Sequence, residues 1–212
     1  MSTLCGALVE RGERDLTSLA SKHRITVLGP LGPWVFVRGD VNMAHIEPPR
    51  FASALSSELE GSVIAFMLQT TASSEVLEHW ERGALVRRLV CQDGRWKTRE
   101  GMHQAWESIY FFDPSEGIGE GEKWPLTLDD DLTEQDEQRY EEAKRAGDPS
   151  AVLDLLRGGS VWPLHRLAKH LGVDLRSPAA SYSVPANWKP WLALTLALAF
   201  VCSCGVLGAL SR

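Results

Sequence analysis

Little in this sequence has the spacing that catalytic or metal chemistry demands. There is no Cys-x-x-Cys pair and no His-Glu-x-x-His. The four cysteines (Cys5, Cys91, Cys202, Cys204) and six histidines (His23, His45, His79, His103, His165, His170) lie scattered along 212 residues. Neither a disulfide frame nor a zinc site is expected from them. The glycine-rich run Gly117-x-Gly119-x-Gly121 lacks the lysine of a phosphate loop and reads as a connection. Asp129 to Asp131 lack the spaced oxygen ligands and the glycine of a calcium loop, so they read as a helix cap and a solvated turn. His165 and His170 are five apart and fall on different helix faces. No metal and no cofactor are expected. Basic excess is missing too: 22 Lys and Arg stand against 28 Asp and Glu, a net charge of -6. The apolar patch Leu4 to Val9 has no basic start and is cut by Glu10 and Arg11, short of a secretory signal.

What is present in abundance is one long apolar run. From Trp191 to Leu210 no charge occurs, and at ~1.5 Å rise per residue a helix of this stretch is ~30 Å long, the thickness of a bilayer's hydrocarbon core. Thr195 and Ser203 can return their hydroxyls to a carbonyl one turn back, leaving no donor unpaired in lipid. Trp188, Lys189 and Trp191 stand where an interfacial belt belongs. Only Ser211 and Arg212 follow, the layout of a tail anchor. Arg176 and Lys189 before the stretch outnumber Arg212 after it, which with the missing signal places the preceding domain in the cytoplasm. Cys202 and Cys204 are read as small packing residues between membrane helices rather than acylation sites. Ala193, Ala197, Gly205 and Gly208 are small enough to let two such helices pair, so a homo-oligomer through the anchor is a further expectation.

Charge divides the rest. Residues 1–112 hold 12 basic and 13 acidic side chains, 113–148 hold 4 and 13, and 149–212 hold 6 and 2. The basic end lies beside the apolar run, where an anionic leaflet attracts it. Periodicity in 1–112 predicts an α+β domain with an antiparallel sheet. Arg24 to Leu28 and Trp34 to Arg38 read as strands around a Gly-Pro loop, 50–60 as an amphipathic helix, and Ser62 to Gln69, apolar on both alternating sets, as the centre of the sheet. A meander follows, pivoting on Gly83 and Asp93-Gly94. Gly101 to Ser108 reads as a loop or a single helical turn, and Ile109 to Phe112 as one more strand. Residues 113–176 read as an acidic connection and three short helices: one capped by Asp131 and ending near Gly147, one from Asp148-Pro149 to Gly158, and one from Ser160 to Gly172. Residues 177–190 read as a proline-containing linker.

The hairpin around Gly83 gathers the residues best suited to recognition. His79, Trp80, Arg87 and Arg88 stand near Glu78 and Glu81, and guanidinium groups suit carboxylate or phosphate. Alternation sends Arg87 and Arg88 to opposite faces, and cross-strand salt bridges with Glu78 or Glu81 account for the same residues. Trp80, Trp96 and Trp106 suit a core. Leu167-Ala-Lys-His-Leu-Gly-Val173 resembles the first helix and turn of a DNA-binding helix-turn-helix. Asp174 to Pro185, with Pro178 and no helical period, breaks the motif, and the acidic balance opposes phosphate, so nucleic acid is not an expected partner. The expectation is a tail-anchored, non-enzymatic module that binds membrane lipid through its last helix and a protein through its sheet or acidic segment. The alternative is a tethered hydrolase whose site gathers distant residues such as His79, Glu107 and Asp40.

Overall fold

The computed structural model describes residues 3–28, 32–39, 49–113, 128 and 132–175. All belong to the first of the chain's two units, Met1–Tyr182; the second is Ser183–Arg212. The apolar run, its flanking Trp188, Lys189 and Trp191, the linker 177–190, Asp40, Gly117 to Gly121 and Asp129 to Asp131 lie outside the described residues. Among the described residues no helix is long and apolar enough to cross a membrane.

The strand Ser62–Gln69 (β4) is buried at six consecutive positions, which requires cover on both of its faces. It is the middle strand of a seven-stranded sheet in the order β2-β3-β1-β4-β5-β6-β7. The others are β1 (Thr3–Glu10), β2 (Ile25–Leu28), β3 (Trp34–Gly39), β5 (Ser74–Glu81), β6 (Ala84–Gln92) and β7 (Arg95–Gly101). Every neighbouring pair is antiparallel. The two-residue period of β4 feeds two cores. Ile64 and Phe66 join Leu8, Phe36, Leu77 and Leu89 on one face, and Val63 and Ala65 join Ala7, Val9, Val35 and Val37 on the other.

Helices close both faces. α1 (Thr17–His23) and α2 (Phe51–Leu59) bring Ala20, Ala52, Leu55 and Leu59 to the smaller core. The larger one takes α3 (Ala105–Phe111), α4 (Glu134–Ala146) and α5 (Val161–His170) through Trp106, Tyr110, Tyr140, Leu164 and Leu167. The rings of Phe36 and Phe66 stack at 5.8 Å over β1, and Gly6 between them carries no Cβ, which would run into the Phe36 ring.

Leu4 to Val9, to which the sequence reading assigns no element, is most of β1, a strand next to the sheet's centre, paired with β3 and β4. Several expectations are corrected. Ile109 to Phe112 is not a strand: Trp106, Tyr110 and Phe111 share one helical face, and burying that face outweighs the β preference of aromatic residues. The cap of α4 is Thr133, whose hydroxyl accepts from the Asp136 N–H at 3.2 Å while the Asp136 carboxylate accepts from the Thr133 N–H at 3.2 Å. After Gly147, Pro149–Ala151 forms a single 3-10 turn, not a full helix. Residues 156 and 157 then make isolated bridges, Leu156 with Leu128 and Arg157 with Arg95 at the outer end of β7.

Candidate functional site

Most of the buried polar residues lie on the side of β5 and β6 that faces α3. Glu75, Leu77 and His79 alternate onto this side, and the register sets Glu75 beside Cys91 and His79 beside Arg87. α3 answers from above with Trp106, Glu107 and Tyr110, all buried. Three linked groups result.

The first is an ion pair removed from water. Arg87 Nη2 donates to Glu107 Oε2 at 2.9 Å, and the Glu107 side chain is 0% exposed. Arg87 Nη1 donates to the Gly101 carbonyl at 2.7 Å, and the Gln104 N–H donates to Glu107 Oε1 at 2.7 Å. The pair therefore ties β6, the end of β7 and the first turn of α3 together.

The second group centres on His79. Trp106 Nε1 donates to His79 Nδ1 at 3.3 Å, so Nδ1 holds the lone pair and the ring proton is on Nε2. Ser62 Oγ lies 2.5 Å from Nε2 and accepts that proton. A histidine that activates a serine needs its lone pair toward the hydroxyl; here it points the other way. Burial pushes the His79 pKa down, against the pull of Glu81 and the hydrogen bond of Gln104. Burial thus favours the neutral ring, and its bond from Trp106 ties β5 to α3.

The third group is a buried carboxyl. Glu75, 1% exposed, hydrogen-bonds the Tyr110 hydroxyl through Oε1 and accepts from the Gly159 N–H through Oε2 at 3.0 Å. Burial raises its pKa to about 7, with the Tyr110 and Gly159 hydrogen bonds opposing. Burial also raises Tyr110, helped by the nearby Glu75 charge. Cys91 is pushed up to about 12, first by burial and then by Glu75, so its sulfur is a thiol that donates to the Ser73 carbonyl at 3.5 Å. Cys5 is likewise raised by burial, to about 11. Neither sulfur is a thiolate nucleophile at neutral pH.

The residues expected for recognition are thus divided by the sheet. His79 and Arg87 point into the larger core and offer no surface. Trp80 packs against the smaller core and donates from Nε1 to Glu78 Oε2 at 3.2 Å. Arg88, on that same side, lies 3.4 Å from Glu78 across the hairpin. Arg87, the register partner of His79, is the residue that bonds Glu107; His79 itself bonds Ser62 and Trp106. Glu75, Ser62 and Tyr110 were not anticipated. One signal for Glu75 was available, since it occupies an inward position of the alternation that makes Leu77 core. Among the described residues no group of three or more His, Cys, Asp or Glu side chains is placed to hold a metal ion. No protein-family model, no curated protein and no solved structure matches the chain.

Proposed function

We propose that this chain is a membrane-tethered binding module: an α+β domain held on the cytoplasmic side of a membrane by the apolar run 191–210 and engaging a protein there. The observation that carries the reading is the uninterrupted stretch from Trp191 to Leu210, bounded by Trp188 and Lys189, whose length matches a hydrocarbon core. Binding is favoured over catalysis because the buried polar groups on the α3 side of β5 and β6 are bonded chiefly to one another, Arg87 Nε excepted. Arg87 is spent on Glu107, His79 holds its proton toward Ser62, and Glu75 is bonded by Tyr110 and Gly159. Groups so engaged and buried hold elements in place rather than facing a substrate.

The test compares the full chain with a chain ending at Pro190, which keeps every described residue. Membranes from cells making each are extracted at alkaline pH, and sealed membranes are treated with protease from the cytoplasmic side. The full chain is expected to resist extraction and lose its domain to protease, while the shorter chain is recovered soluble. Equal solubility of the two would sink the membrane reading.

A further inference from the structure

We infer that the outer face of α5 is a membrane-docking surface, and that the partner it fits is an anionic lipid headgroup layer. The inference rests on the membrane-tethered reading above and adds a second contact, made by the folded domain itself. α5 buries Pro163, Leu164, Leu167 and Ala168 against the sheet-covering helices. Its opposite stripe, at helical spacing, is Trp162, His165 and Lys169. Trp162 is 58% exposed, a large indole left in solvent by a fold that buries Trp96 and Trp106. The His165 ring lies 6.3 Å from it along the same stripe. Lys169 and His170 close the helix, both exposed, and α5 contains no acidic residue.

The chemistry of this stripe suits an interface. An indole gains most at headgroup depth, where its apolar body leaves water and its N–H still finds an acceptor. A lysine two turns beyond supplies the charge that an anionic leaflet attracts. Arg166 does not belong to this surface, because it is turned inward: its Nε donates to the Ile109 carbonyl at 2.7 Å, its Nη1 to Asp113 Oδ2 at 3.0 Å and its Nη2 to the Tyr110 carbonyl. These bonds hold the helix rigidly to the domain, so its exposed face is presented preformed. The position in the chain favours the same partner. α5 is the last helix among the described residues, and the sixteen Cα–Cα steps from Leu175 to Trp191 reach at most ~58 Å when extended. A domain on that tether meets the bilayer at high effective concentration, so weak contacts by one tryptophan and one lysine suffice.

The experiment uses the full chain added to phosphatidylcholine vesicles and, separately, to vesicles with about one third phosphatidylserine, a headgroup of the anionic class. Side-chain labelling followed by mass spectrometry reads Trp162 and Lys169, with Met102 and Lys97 as exposed controls on other parts of the domain. The expected result is labelling of Trp162 and Lys169 at least about fivefold slower on the anionic vesicles, the factor that one lysine at such a surface represents. The controls should be unchanged, and high salt should restore the Lys169 rate. Equal labelling on both vesicle types overturns the docking surface. Protection that is the same without phosphatidylserine and grows with protein concentration overturns it in favour of a contact between copies. Alkaline extraction of the same vesicles reads the anchor separately: resistance with unprotected Trp162 keeps the tether and removes the docking face. Extraction with protected Trp162 keeps the face and removes the tether. The double variant Trp162→Ser, Lys169→Glu alters only exposed positions, so it should keep the wild-type urea midpoint while losing the difference between vesicles.

Discussion

Glu75 is a carboxyl that the fold prefers neutral, and the sign of its effect on stability follows. Its pKa is 4.5 in an unfolded chain and about 7 in the domain. Between those values the unfolded state has released a proton that the folded state retains, so stability falls as pH rises and levels off above about 7. The full span corresponds to about 3 kcal/mol. Glu75→Gln carries no charge at any pH, and its carbonyl oxygen can still accept from the Tyr110 hydroxyl. Urea midpoints from pH 5 to 8 should therefore rise for the variant relative to the parent as pH increases; parallel curves would show that Glu75 is ionised in the fold throughout. His79 acts in the opposite sense, since its lowered pKa costs stability as pH falls below its ordinary value, and the comparison of parent with variant cancels it. Arg87 and Glu107 invite a different measurement. Removing one partner strands a buried charge, so Arg87→Met or Glu107→Leu alone should cost about 3–5 kcal/mol. The double variant should cost clearly less than their sum, and additive costs in denaturant unfolding would mean that the two do not act as a pair. None of these pairings is legible in a sequence, because Glu75 meets Tyr110 and Arg87 meets Glu107 only after two helical turns of α3 are laid across the sheet.

At the scale of elements, the segment between the 3-10 turn and α5 fits tightly against the β4–β5 connection. Gly159 has φ +86, and a Cβ there would lie 2.5 Å from the Ser73 Cα, while its N–H serves Glu75. Gly159→Ala should cost on the order of 2–3 kcal/mol, strain and collision together. Gly12, at φ +57 with nothing within 4 Å of an added Cβ, should cost only about 1 kcal/mol on the same change. Unfolding curves giving equal losses would show that the contact with Ser73 is soft. Element identity was most readable where one force dominated. β4 announced itself by apolar residues on both alternating sets, and the meander β5-β6-β7 by its Gly and Asp-Gly turns. α3 was hidden because Trp, Tyr and Phe prefer strands in isolation, and only the spacing of Trp106, Tyr110 and Phe111 gives the helix away. β1 was hidden because a short strand covered on both faces is indistinguishable from any other short apolar run. The Gly158-Gly159 stop was visible, but the helix it seemed to end is a single turn, since Asp148 caps only Pro149–Ala151.

For the whole molecule, the α+β class and the antiparallel sheet followed from periodicity, while the order of the strands did not. Nothing local tells β1 to lie between β3 and β4, and that choice rests on matching Leu8 to Ile64 and Ala7 to Ala65 across the sheet. The pairing has a consequence for synthesis on the ribosome. Thr3 to Val9 are made before their partners on one side, Val63 to Gln69, which follow some 54 to 66 residues later. At ~5–20 residues per second this is roughly 3 to 13 s of translation. Until then the apolar segment has only β3 to lean on, in a three-strand fragment with one of its sheet edges bare. During that interval Leu4 to Val9 has one strand edge without its neighbour, an aggregation hazard that slower translation between β3 and β4 would prolong.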